Sequence, residues 1–331
     1  MSNKQTIYFK NQPKIISSYS IAGPKESYSR FSSYFDLVLR DDLWDCETYE
    51  LTERKMLEHI IFNAIERANL KTNDIDALIC GDLLNQIISS SFAARKFDVT
   101  YIGLFGACST MAESLAVGAC LVDGGYFNKV ACATASHFSS VERQFRMPLE
   151  LGNQRPPTAQ WTVTGGGCSI LSNDGLGPKI TQATFGKVTD YDVKDANNMG
   201  AAMAPSAMST LLTHFKNTNT TPQDYDLIVT GDLGKLGAEI LIDLMEYNGY
   251  KLGQNYMDCG HSIYTNAQHT FMGGSGCGCS ALILNSFILQ KMKEKEYRKV
   301  LFMATGALLS TTSTFQGESI PGIAHAIVLE N

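Results

Sequence analysis

The sequence predicts an α/β protein assembled from one unit written twice, and three observations carry that prediction. Strands read as continuous apolar runs alternating with helical patterns, the way mixed or parallel sheets covered on both faces are encoded. Residues 74–83 read DIDALICGDL and residues 224–233 read DYDLIVTGDL, identical at five of ten positions. The elements around these two strings recur in one order, so the chain divides into halves at 1–178 and 179–331.

In chain order, residues 6–9 and 15–19 read as an opening strand or hairpin closed by Ala22-Gly23-Pro24. Residues 25–50 are rich in Ser, Tyr and Asp without a clear period and read as an excursion over the surface. From Thr52, the positions Met56, Leu57, Ile60, Ile61, Ala64 and Ile65 recur at helical spacing, and a buried strand then ends at Gly81-Asp82. In the second half a helical stretch at 205–215 precedes the strand that ends at Gly231-Asp232. Strands at 129–134 and 299–305 answer each other, as do the segments 162–171 and 320–329.

Each half also holds a helix of almost only small and apolar residues, entered through glycine: Gly106-Ala107-Cys108-Ser109 in the first, Gly273-Gly274-Ser275-Gly276-Cys277-Gly278-Cys279 in the second. A helix apolar on every side is a buried one. If the halves pack about a pseudo-twofold, the two helices lie side by side, and their N-termini at Cys108 and Cys279 meet at one pocket. Unpaired amides and the helix dipole favour a thiolate or an anion there.

A net charge of -6 with no basic run excludes nucleic acid as a partner. The N-terminus is polar, and no apolar stretch reaches the ~18 residues of a membrane span, so no signal peptide or transmembrane helix is expected. Nine scattered cysteines suit reduced thiols in a cytosol-like compartment, and Cys277-Gly278-Cys279 lacks the second ligand pair of a metal site.

This order of elements, with a cysteine opening a buried small-residue helix, resembles the thiolase superfamily, which includes the ketoacyl-synthase III enzymes. The resemblance implies a thiolase-like fold: two pseudo-symmetric α/β/α halves in a five-layered αβαβα architecture, usually dimerised by continuing a central sheet across the interface. In its enzymes a coenzyme A or carrier-protein thioester acylates the cysteine, and further His or Asn groups activate the thiol and hold the oxyanion. Where ketoacyl-synthase III enzymes carry His-Gln-Ala-Asn, this chain reads Gly231-Asp232-Leu233-Gly234. An aspartate there raises a thiol's pKa. The expectation is therefore a protein that is not an enzyme; on the alternative reading, an acyl-CoA condensing enzyme, Cys108 is the nucleophile and His269 its helper.

Eight strings (GDLLNQ, LFGACST, ERQFR-P, TVTG, MAP, GGSGC-CSA, ATGALLS and ESIP-IAH), spread between residues 81 and 325, together resemble the stage V sporulation AD family of endospore-forming bacteria. That resemblance implies binding of dipicolinic acid (pyridine-2,6-dicarboxylate) and a part in moving it into the developing spore. It also implies membrane proteins of the same operon as partners, a peripheral place on the cytoplasmic face of the forespore inner membrane, and a homodimer. The candidate ligand residues are Asp82, Cys108, Ser275, Arg143, Arg146 and Asp232. Arg143 and Arg146 suit fork-like pairing with carboxylates, or salt bridges within the chain. Asp82 and Asp232 either cap turns at strand ends or, if calcium arrives with the ligand, offer it hard oxygens.

Overall fold

The computed structural model describes residues 5–145 and 154–331. In the first half the elements are β1 (Thr6–Tyr8), β2 (Lys14–Ala22), β3 (Leu37–Val38), α1 (Tyr49–Arg67), β4 (Ala77–Gly81), α2 (Ile88–Ala94), β5 (Thr100–Gly103), α3 (Thr110–Asp123), β6 (Lys129–Ser136), α4 (Phe138–Phe145), β7 (Trp161–Thr162) and β8 (Gly165–Ser172). In the second they are β9 (Lys179–Thr184), α5 (Met199–Thr218), β10 (Leu227–Thr230), α6 (Gly234–Tyr247), β11 (Tyr256–Asp258), α7 (Cys259–Ile263), β12 (Gly274–Ser275), α8 (Cys277–Ile283), α9 (Leu289–Lys293), β13 (Lys299–Ala307), α10 (Thr311–Phe315) and β14 (Gly322–Glu330). A π-turn at Leu284–Ile288 joins α8 to α9 without a break.

The principal strands run in the order β11-β10-β13-β14-β9-β2-β8-β6-β4-β5. Cut between β9 and β2, this gives the same arrangement twice: in each half the second, third and fourth strands are parallel and the first and fifth antiparallel to their neighbours. The junction is thin. β2 and β9 pair only at Lys14 and Lys179, flanked by Ile15 N–H donating to Pro178 O and Ile180 N–H to Pro13 O.

Period-two alternation places successive strand residues on opposite faces, and here both faces are buried. On β13, Leu301 and Met303 pack outward against α5 and α6, while Val300, Phe302 and Ala304 face the middle layer. On β4, Leu78 and Cys80 pack against α1, while Ala77 and Ile79 face the middle. The middle layer is α3 beside α8, whose Met111, Leu115, Cys279 and Ile283 are enclosed between the two halves of the sheet. Helices, sheet, helices, sheet and helices thus form five layers, and only residues as small as those of α3 and α8 let two helices fit between two sheets.

Two expectations are corrected. Residues 6–9 and 15–19 do not form a hairpin: β1 pairs with β9, and β2 with β8. The stretch at 25–50 is not purely a surface excursion, because Phe31, Phe35 and Leu39 are buried and Glu26 is fully enclosed. Phe31, Phe35 and Leu39 stand four apart, but Tyr34, Leu37 and Val38 fall between them out of step, which hides the spacing. The thiols of the two helix starts do come near one another: Cys277, at the first position of α8, shares a cluster with Cys108, and Cys279 lies close enough to Cys108 for their charges to interact.

Candidate functional site

Cys108 sits in the turn that leads into α3, following Ala107, whose φ of 50° is left-handed. Such a backbone costs a non-glycine residue of order 1 kcal/mol and persists only where its surroundings hold it. Here Gly306 on β13 backs the turn so closely that an added Cβ would stand 2.3 Å from Gly106 O. The thiol is thereby turned toward the end of β10 and the start of α8.

It meets Asp232 there. The Asp232 carboxylate is fully buried and accepts from Thr305 Oγ1 (2.8 Å), the Gly276 N–H (3.1 Å) and Ser275 Oγ (3.4 Å), and the Cys108 thiol stands close enough for the two groups to shift each other's ionisation. Gln160 clamps the backbone around it, its Nε2 donating to Asp232 O and Gly274 O. Burial, with the nearby Asp258 adding to it, pushes the Asp232 carboxyl up to about 7. Burial and then the Asp232 charge push the Cys108 thiol well above its ordinary value. A thiol poised for attack needs the opposite surroundings.

Cys108 and Ser275 open on a cavity of about 40 Å³ whose remaining walls are Leu83, Phe105, Ala107, Val141, Phe145, Thr162, Met199, Ala307 and Leu309. The cavity is apolar except for the thiol and two hydroxyls. Among the described residues, no group of three or more His, Cys, Asp or Glu side chains is gathered to hold a metal ion.

The structure brings together three of the sequence candidates: Cys108 and Ser275 on the wall, Asp232 behind them. Asp82 is not on the wall. Its oxygens accept from Leu84 N–H (2.9 Å), Ser90 N–H (2.7 Å) and Ser90 Oγ (2.5 Å), so it fixes the turn that presents Leu83 to the cavity. Arg143 lies on α4, whose Val141 and Phe145 reach the cavity, but its guanidinium pairs with Glu50 at 3.4 Å. Arg146 lies outside the described residues. His269 is exposed on a surface turn at φ 52° and does not line the cavity, so the helper that a condensing mechanism would take from it is not at the thiol.

Sequence reading missed Glu53. It is fully buried on α1, accepts from Ser140 Oγ at 2.5 Å, and stands close enough to Asp82 that burial, followed by the Asp82 charge, drives its carboxyl well above the usual range. Burial raises the Asp82 carboxyl as well, so the two neighbouring acids resist ionising together. The signal was present: residue 53 precedes Met56, Leu57 and Ile60 by three, four and seven positions, on the same stripe. Gln160 gave no such signal, because its partners come from β12 and the end of β10, far along the chain.

Among solved structures the chain is similar to 3-oxoacyl-[acyl-carrier-protein] synthase III from Aquifex aeolicus VF5, with a TM-score of 0.61 and 12% identity over 96% of this chain and 100% of that one. It is also similar to cerulenin-bound OleA of Xanthomonas campestris, with a TM-score of 0.63 and 13% identity over 98% of each chain. At such identities the likeness establishes the fold. Among curated proteins it is similar to stage V sporulation protein AD of Bacillus subtilis (strain 168), 43% identical over 330 residues that span 100% of this chain and 98% of the relative. The profile of the stage V sporulation protein AD family matches residues 3–330, and on these two findings the chain belongs to that family, built on a thiolase-type fold.

Proposed function

We propose that this protein binds dipicolinate at the Cys108 cavity without chemistry at the thiol, as part of the transfer of that compound into the developing spore. The observation that carries the reading is the Cys108–Asp232 contact. Burial and the carboxyl beside it push the thiol well above its ordinary value, so the thiolate that acyl transfer starts from is disfavoured. What remains is a concave site with donors from Ser275 and Thr162, and the ligand's identity comes from the family resemblance.

The cavity has room for little more than a water molecule. A ligand of dipicolinate's size therefore requires side chains at its mouth to swing outward, Phe105, half-exposed, foremost among them. Among the described residues no helix is long and apolar enough to cross a membrane, which suits a peripheral partner of membrane proteins encoded in the same operon, at the forespore inner membrane. β5 ends the sheet with one neighbour, β4, and offers the edge across which a homodimer would continue it.

Calorimetric titration of the purified chain with dipicolinate, with and without calcium, tests the reading. Saturable heat that is lost when Ser275→Leu fills the cavity is expected. No heat at millimolar ligand under any calcium condition would sink the ligand assignment.

A further inference from the structure

We propose that Asp232 takes up a proton from solvent when an anionic ligand enters the cavity against Cys108 and Ser275, so that ligand and proton bind together. The inference rests on the dipicolinate reading and adds its regulation. Asp232 is one hydrogen bond behind the cavity wall: it accepts from the Ser275 hydroxyl that lines the cavity and stands against the Cys108 thiol that lines it too. Every element packed around it contributes either a neutral donor or a further acid. β13 supplies Thr305, and β12 with the residue after it supplies Ser275 and the Gly276 N–H. The turn before α3 supplies Cys108, β11 ends in Asp258, and α7 and α8 supply the thiols of Cys259, Cys277 and Cys279.

The groups that act most strongly on the carboxyl are Thr305, Cys108, Asp258 and the Gly276 N–H, with no cation among them to offset a second negative charge. A dianion at the wall therefore meets a repulsion that only protonation removes, in a setting where water cannot screen it. Burial already holds the carboxyl at about 7, so the proton is available at modest cost near neutrality. The balance is simple: one proton leaves the buffer and ends on an Asp232 carboxyl oxygen, and no covalent bond of the ligand changes.

The test is calorimetry with dipicolinate at about pH 8 and about pH 5.5, in two buffers of different ionisation enthalpy. The wild type should take up close to one proton per ligand at the higher pH and close to none at the lower, where Asp232 is already neutral. Its affinity should be flat below about pH 7 and weaken by up to about tenfold per unit above it. Asp232→Asn should bind with no buffer dependence and a flat pH profile. Binding without buffer dependence in the wild type, a wild-type affinity flat to pH 8, or uptake retained in Asp232→Asn, would each overturn the inference while leaving the ligand reading intact. Absence of any heat in the wild type would defeat the ligand reading, and the inference with it.

Discussion

The Cys108 thiol stands against the buried Asp232 carboxyl, whose charge adds to burial in pushing that thiol well above its ordinary value. The fold is shared with the ketoacyl synthases, while the surroundings of this thiol oppose its ionisation. This separation of scaffold from chemistry is why a likeness to ketoacyl synthases at 12% identity carries no activity with it.

The first prediction concerns that thiol. Cys108 of the wild type should be alkylated slowly by iodoacetamide at pH 7.5, followed by peptide mass mapping so that the half-buried Cys46 and Cys120 are scored apart. Asp232→Asn removes the charge that opposes thiolate formation and should speed Cys108 alkylation by roughly tenfold. Incubation with acetyl-coenzyme A should leave Cys108 unmodified. A stoichiometric acyl adduct, absent from Cys108→Ser, would restore the condensing-enzyme reading.

A second prediction concerns Glu26, which is enclosed beneath Tyr264 and accepts from that phenol and from the Thr164 N–H at 3.2 Å. Burial raises its carboxyl to about 7 despite these bonds. Below about pH 4.5 the group is neutral in both states. Between 4.5 and 7 the unfolded chain ionises first, so stability contributed here falls as pH rises through that window and is flat above it. Glu26→Gln keeps an acceptor oxygen and removes the titration. Denaturant melts should show the variant gaining on the wild type by about 2 to 3 kcal/mol more at pH 8 than at pH 5. An equal difference at both pH values would show that Glu26 is not neutral in the native protein.

A third prediction tests how α8 is seated. A Cβ on Gly278 would stand 2.2 Å from Gly165 O and 2.6 Å from Ser136 Oγ, both belonging to strands of the first half. Backbone cannot yield as a side chain can, so Gly278→Ala should destabilise by about 3 kcal/mol and weaken ligand binding through displacement of Ser275. An unchanged melting temperature would mean that α8 has slack at this contact.

Much of the fold was legible because its signals are local. The repeated strings at 74–83 and 224–233 fall at equivalent strands, and the all-apolar helices at Cys108 and Cys277 fall in the middle layer, since each property is written in consecutive residues. The site was legible only in part. That Asp232 would stand near the Cys108 thiol followed from the resemblance to the ketoacyl-synthase III turn, but Thr305 and Gln160, which fix its geometry, come from distant elements that the resemblance does not mark. Arg143 matched the residue type for a carboxylate partner, yet on α4 it points to Glu50 while Val141 and Phe145 face the cavity. Residue type reports chemical capacity; helix phase decides direction.

The last prediction concerns Asp82 and calcium. Were Asp82 to hold a calcium ion carried in with dipicolinate, its oxygens would have to be free, whereas three protein donors already occupy them and Glu53 stands beside them. Asp82→Asn should therefore leave the calcium dependence of dipicolinate binding unchanged. It should instead lower stability by about 1 to 3 kcal/mol, because an amide cannot accept the same set of bonds and its own N–H group must find an acceptor. Asp82→Arg should be more severe, since no room exists for the longer side chain at a fully buried position, and Leu83 would be carried out of the cavity wall with the turn. Calcium titrations of wild type and Asp82→Asn, beside melting curves of both, separate the two roles. A calcium effect present in the wild type and missing from a stably folded Asp82→Asn would make Asp82 a ligand to the ion rather than the fastener of its turn.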